Sequence, residues 1–252
     1  MAARARRRWE YSAPAALLAV MISGCSAVDT ASADRFAQTG ELIALSGGHA
    51  GAANACITCH GLEGRGNGAG VPRLAGLESG YLNRQMESYA SGLRQHPQMQ
   101  YVAGKLSARD RQAVSAYYAA MPFAPGPMPQ APPPQLWLIG DPARDLQPCA
   151  ACHGLRGEGI GPANPALGAQ PAAYHLEQLE KWRRSERRND PMNVMQTISV
   201  RLTPAERAAL AAYAGALPGG PPRPGSPEAF PAAHRVDPRN GASGLRPHEA
   251  VP

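Results

Sequence analysis

The sequence runs to 252 residues, long enough for two domains that each bury a core of their own. Only 6% of it is aromatic, while Gly and Pro number 27 and 26, so side chains alone would fill two cores thinly; five Cys are too few for a disulfide scaffold. No apolar run reaches the roughly 20 residues of a membrane span. The formal charge of +6 leans on Arg4, Arg6, Arg7 and Arg8 at the extreme N-terminus, which argues against nucleic acid as a partner.

Those arginines precede a short apolar stretch over residues 13–22 and then Ile22-Ser23-Gly24-Cys25, the basic, apolar and small-residue regions of a secretory signal. Residues 1–24 read as a leader of the lipoprotein type. Ile-Ser-Gly-Cys resembles the bacterial lipobox, in which Cys25 takes the lipid and becomes the first residue; the alternative is an ordinary cleavable signal with an incidental cysteine. Without the leader the chain carries +3. It is expected in the periplasm, held to a bacterial membrane surface, with residues 25–39 as a tether.

The first domain is expected over residues 40–121. It contains Cys56-Ile57-Thr58-Cys59-His60, then a helix over 80–92 with Tyr81, Leu82, Gln85, Met86 and Tyr89 at helical spacing, then a helix opened by Ser107 as N-cap and closed near Pro122. Residues 122–134 hold seven Pro in 13 positions and read as a semi-rigid linker. The second domain, 135–217, repeats the first. It has Cys149-Ala150-Ala151-Cys152-His153, a helix over 174–183 carrying Tyr174, Leu176, Leu179 and Trp182, and a helix opened by Thr203 with Glu206 as a capping box. The register is constant from the Cys motif through Gln85 and Gln178 to Arg94 and Arg187. The second copy is then three residues longer, and alignment resumes at Met99 and Met195. Residues 218–252, with nine Pro and five Gly, read as a disordered tail. Nothing reads as a run of strands, so the fold class is all-α.

The two C-x-x-C-H segments carry the chemistry. On a helix, Cys at i and i+3 share one face, so two thiols can form thioethers along one edge of a haem while the next residue brings an imidazole to the iron. A thioredoxin-like redox pair, half of a zinc site and a structural disulfide compete with this. The first lacks its βαβ context, and a four-cysteine zinc site leaves the His after each pair unexplained. Covalent haem at Cys56, Cys59, Cys149 and Cys152 ranks above all three.

The ordered set of C-x-x-C-H-G, Pro72-Arg73-Leu74 and Pro165-Ala166-Leu167, the Tyr-led helix and a Met before the last helix resembles the class I cytochromes c, specifically the tandem dihaem proteins of the cytochrome c4 family. The resemblance covers roughly residues 40–121 and 135–217. It implies two small helical domains around two haem c groups, with His60 and His153 as proximal ligands and Met99 and Met195 as distal ones. It also implies that the carbonyls of Pro72 and Pro165 accept a hydrogen bond from the ligating imidazoles, fixing ring orientation. Met192 competes with Met195, but only Met195 keeps the seven-residue separation from Leu202 that Met99 keeps from Leu106. His96, His175, His49, His234 and His248 read as surface or satisfied residues.

Six-coordinate His/Met iron leaves no open position, which suits single-electron transfer between respiratory-chain redox partners rather than catalysis. The alternatives are a cytochrome subunit of a membrane dehydrogenase or terminal oxidase and, further off, a dihaem peroxidase, which needs a vacant or displaceable distal position.

Overall fold

The computed structural model describes residues 39–161 and 163–220. The leader, Cys25, the tether up to residue 38 and the tail from residue 221 lie outside the described residues. The described chain is helical, with isolated bridges in place of strands. The first half runs α1 (39–46), α2 (Cys56–His60), α3 (Ser79–Ala90), α4 (Pro97–Lys105) and α5 (Ala108–Ala120). The second half runs α6 (Gln135–Leu138), α7 (Cys149–His153), α8 (Ala172–Arg183), α9 (Val194–Arg201) and α10 (Pro204–Ala216).

Local chemistry explains the helix starts. Ser107 Oγ accepts from Asp110 N–H while the Asp110 carboxylate accepts from Ser107 N–H, and Thr203 and Glu206 do the same for α10. The sequence had promised a full capping box only in the second copy. Glu78 caps α3, its carboxylate accepting from Gly80 and Tyr81 N–H. In each half, two long helices pack together: α3 on α5 with α4 against α3, and α8 on α10 with α9 against α8.

Each half closes its own core. Ile43, Leu77, Leu82, Val102, Leu106 and Tyr118 form the first, and Trp137, Leu146, Leu202, Leu210, Tyr213 and Leu217 the second. One arginine per half ties its helices into a frame. Arg111 Nε–H donates to Glu87 of α3 at 2.7 Å and its Nη1–H donates to Ala103 O of α4 at 2.9 Å. Arg207 makes the matching set with Glu180 of α8, at 2.6 Å, and with Ser199 O and Leu202 O.

Arg207 is buried, so truncation strands these partners. Arg207→Ala should lower stability by about 2–3 kcal/mol in urea unfolding of the holoprotein, with an unchanged m-value. A loss within experimental error would refute the frame role. A second clamp sets an acid limit. Hydrogen bonds from Arg144, with help from the Thr203 cap, hold the Glu206 carboxyl down from its ordinary 4.5 to about 2. The stability this depressed carboxyl contributes is complete above pH 4.5 and drains away as pH falls toward 2. Glu206→Gln should therefore flatten that part of the acid unfolding curve.

Candidate haem-binding site

The two C-x-x-C-H segments form α2 and α7, each barely more than one turn, with the cysteines three apart on one face and the histidine as last residue. His60 and His153 are buried. Each ring donates its Nδ1–H to a carbonyl twelve residues on, Pro72 O and Pro165 O, at 2.9 Å in both cases. A carbonyl only accepts, so the proton sits on Nδ1 and Nε2 keeps its lone pair. Burial pulls both imidazole pKa values down, and the proline carbonyls oppose it only in part. Both rings are thus neutral near pH 7, the form in which imidazole ligates a metal.

A glycine makes the proline carbonyl reachable. Gly66 and Gly159 have φ of 72° and 83° and return their N–H to His60 O and His153 O at 2.8 and 2.9 Å. A side chain on either would run into the backbone around Pro72 or Pro165.

Thiol chemistry separates the competing readings. Burial pushes the Cys56 and Cys149 thiols up to about 11, the opposite of the lowered value that a thioredoxin-like redox cysteine needs. Among the described residues, Cys56, Cys59, Cys149 and Cys152 form no disulfide. Among the described residues, no group of three or more His, Cys, Asp or Glu gathers as a zinc site would need.

One continuous cavity of about 1060 Å³ connects the two halves. It is lined by both motifs, by Pro72 and Pro165, and by Met99 and Met195, among largely apolar side chains such as Leu82, Val102, Leu179 and Ile198. The chain provides what a haem in each half requires: a thiol pair, a neutral imidazole and an apolar wall. Among the described residues, three buried polar atoms on its wall have no partner, Tyr118 Oη, Trp137 Nε1 and Trp182 Nε1.

The methionines are presented differently. Met99 is the third residue of α4, and its N–H donates to His96 Nδ1 at 3.3 Å, so His96 is the N-cap of that helix. Met195 is the second residue of α9. The three extra residues of this half are absorbed just before it, in a turn where Met192 and Asn193 both take φ of 57°. Both methionines are half-buried, while Met192 is 92% exposed at the cavity rim. His175 is a satisfied helix residue, its Nε2–H donating to Leu167 O at 2.8 Å. His49 is exposed, and His234 and His248 lie outside the described residues.

The joint between the halves was not legible in advance. Gln95 N–H donates to Glu186 O and Arg188 N–H to Leu93 O, both at 2.8 Å, a pair that follows the internal repeat like a two-fold axis. Gln170 pairs with the backbone of Arg73, its Oε1 accepting from Arg73 N–H and its Nε2–H donating to Arg73 O, each at 2.8 Å. The Arg73 guanidinium lies over the ring of Phe123, so the Pro-rich linker is tied into the same joint.

The Cytochrome c family model matches residues 46–122 and 146–217, one match per half. The paired helical domains and their duplicated haem sites are those of a tandem c-type cytochrome. A thiosulfate dehydrogenase electron acceptor from Stutzerimonas stutzeri is 40% identical over 184 residues, 70% of this chain and 85% of that protein. Cytochrome c4 from Pseudomonas aeruginosa is 34% identical over 182 residues, 69% and 90% of the two chains. The solved thiosulfate dehydrogenase TsdBA from Marichromatium purpuratum superposes with a TM-score of 0.63 at 38% identity. The superposition covers 77% of this chain but only 44% of that one. The chain belongs to the cytochrome c family as a dihaem member of the cytochrome c4 type, an electron-transfer protein with two haem c groups rather than an enzyme.

Proposed function

We propose that each half closes one iron between an imidazole and a thioether, His60 with Met99 and His153 with Met195. Cys56, Cys59, Cys149 and Cys152 form the covalent links, and Pro72 and Pro165 orient the two imidazoles. The observation that carries this is the duplicated His-to-proline hydrogen bond beside one cavity that also holds both methionines. Held in this way, each haem supplies one reversible single-electron exchange at its iron. The residues do the rest. The proline carbonyls fix the ring tautomer, the apolar wall excludes water, and Met99 and Met195 would supply the thioether that leaves no place for a small ligand.

The lipobox-like Ile22-Ser23-Gly24-Cys25 supports export to the periplasm and attachment at Cys25, with residues 40–121 and 135–217 as the working domains. The relatives' names support a donor of one class, a dehydrogenase that oxidises a small inorganic sulfur anion; the electrons would then pass to respiratory-chain partners. That class of donor favours the reading as the electron acceptor of a dehydrogenase over the reading as a subunit of a terminal oxidase. Stopped-flow mixing of the ferric protein with a thiosulfate dehydrogenase and thiosulfate should reduce both haems. Mass spectrometry of the native N-terminus should find a diacylglyceryl group on Cys25. No reduction above the thiosulfate-only control would remove the donor assignment, and an unmodified N-terminus after a conventional cleavage site would remove the anchor.

A further inference from the structure

The first half bridges its methionine helix to its cysteine motif. Gln98 Nε2–H donates to Asn54 Oδ1 at 2.7 Å across 44 residues of sequence. Asn54 ends the turn over residues 52–54, two residues before Cys56, and its own Nδ2–H donates to Ala50 O at 2.7 Å, so its side chain is held from both sides. Gln98 immediately precedes Met99. At the same helix start His96 Nδ1 accepts from Met99 N–H, and Gln100 Oε1 accepts from His96 N–H at 3.1 Å. The bridge thus closes a short circuit from Met99 through Gln98, Asn54 and Ala55 to Cys56. Asn54, Cys56, Gln98 and Met99 all line the cavity.

The second half is built otherwise. The internal repeat puts Gln147 at the place of Asn54 and Val194 at that of Gln98. A valine side chain donates nothing, so this bridge cannot form. What holds α9 lies elsewhere. Gln196 is tied to Asp190 and Ser185 in the preceding loop, and Arg201, at the far end of the helix from Met195, pairs with Asp145 at 2.7 Å. Asn193, the N-cap, gives no side-chain cap, and Met192 before it takes the left-handed backbone that a methionine adopts only at a cost.

We infer that Gln98 and Asn54 are positioning residues for the distal ligand of the first haem. Their bond holds Met99 against the cysteine motif, and Met195, which lacks such a bridge, is the more readily displaced of the two thioethers. The inference rests on the His/Met reading above. One hydrogen bond of ordinary strength corresponds to about a 2- to 10-fold change in the rate at which sulfur leaves the iron.

The test mixes ferric holoprotein with imidazole in such excess that sulfur release limits its binding, and follows the loss of the sulfur-to-iron band. The shifted NMR methyl signal of each ligating methionine tells which haem has reacted. The wild-type protein should react in two phases, the second haem first. Gln98→Ala and Asn54→Ala should each speed the slow phase about 2- to 10-fold without altering the fast one, and the double variant should be no faster than either single one. Gln98 is exposed, so its truncation leaves the core intact. An unchanged slow phase in both single variants, equal acceleration of both haems, additive gains in the double variant, or a first haem that reacts no later than the second would overturn the inference. A wild-type protein with fewer than two sulfur-to-iron bands would overturn it too, through the His/Met reading beneath it.

Discussion

Replacing Met195 with alanine should remove sulfur ligation from the second haem and leave the first untouched, whereas Met192→Ala should change little. The contrast follows from position. Met195 is half-buried in the cavity wall, and Met192, three residues earlier, is 92% exposed. In ferric Met195→Ala, one of two sulfur-to-iron absorption bands should vanish, added cyanide should bind one equivalent of iron, and the second haem's potential should fall because thioether ligation favours the reduced state. Loss of ligation in Met192→Ala alone would transfer the role to that residue.

The second large effect concerns attachment. Cys149→Ser with Cys152→Ser should yield one covalent haem per chain and a second domain that does not hold its fold. If half of the roughly 1060 Å³ cavity were left unfilled, at ~24 cal/mol per Å³ the cost would be on the order of 12 kcal/mol, comparable to the whole stability of an ordinary domain. Circular dichroism should lose about half of its helical signal, with the first domain's share retained because its core is separate. Unchanged helicity with one haem would show that the second core is self-sufficient.

These expectations trace back to features legible in the sequence to different degrees. The C-x-x-C-H pairs, the Tyr-led helices and the caps at Ser107 and Thr203 are local signals, and local hydrogen bonding and helical spacing carried them directly into α2, α3, α5 and their counterparts. The thin aromatic content announced that something else fills the cores. The internal repeat supplied the methionine register, because a three-residue insertion can be absorbed in a turn, as it is before α9, without moving the helix that follows.

Contacts between the halves left no such trace. Gln170 is not matched in the first half, where Leu77 stands at its position, so the repeat could not mark it as a joint residue. Arg94 and Arg187 were in register, but an arginine in a sequence reads as solvated surface. Only the three-dimensional structure shows two of them buried on the same glutamine oxygens, with no carboxylate partner among the described residues. Two-domain placement depends on such long-range pairs, which helical periodicity does not encode.

The central claim is that both irons are closed by His and Met and exchange only electrons. The ferric holoprotein's absorption at the red edge of the visible, quantified per chain before and after adding peroxide, tests it most directly. The account predicts two equivalents of the weak sulfur-to-iron band, no high-spin signal, and no consumption of peroxide at enzymatic rates. One equivalent of the band, beside a high-spin haem that turns over peroxide, would contradict it.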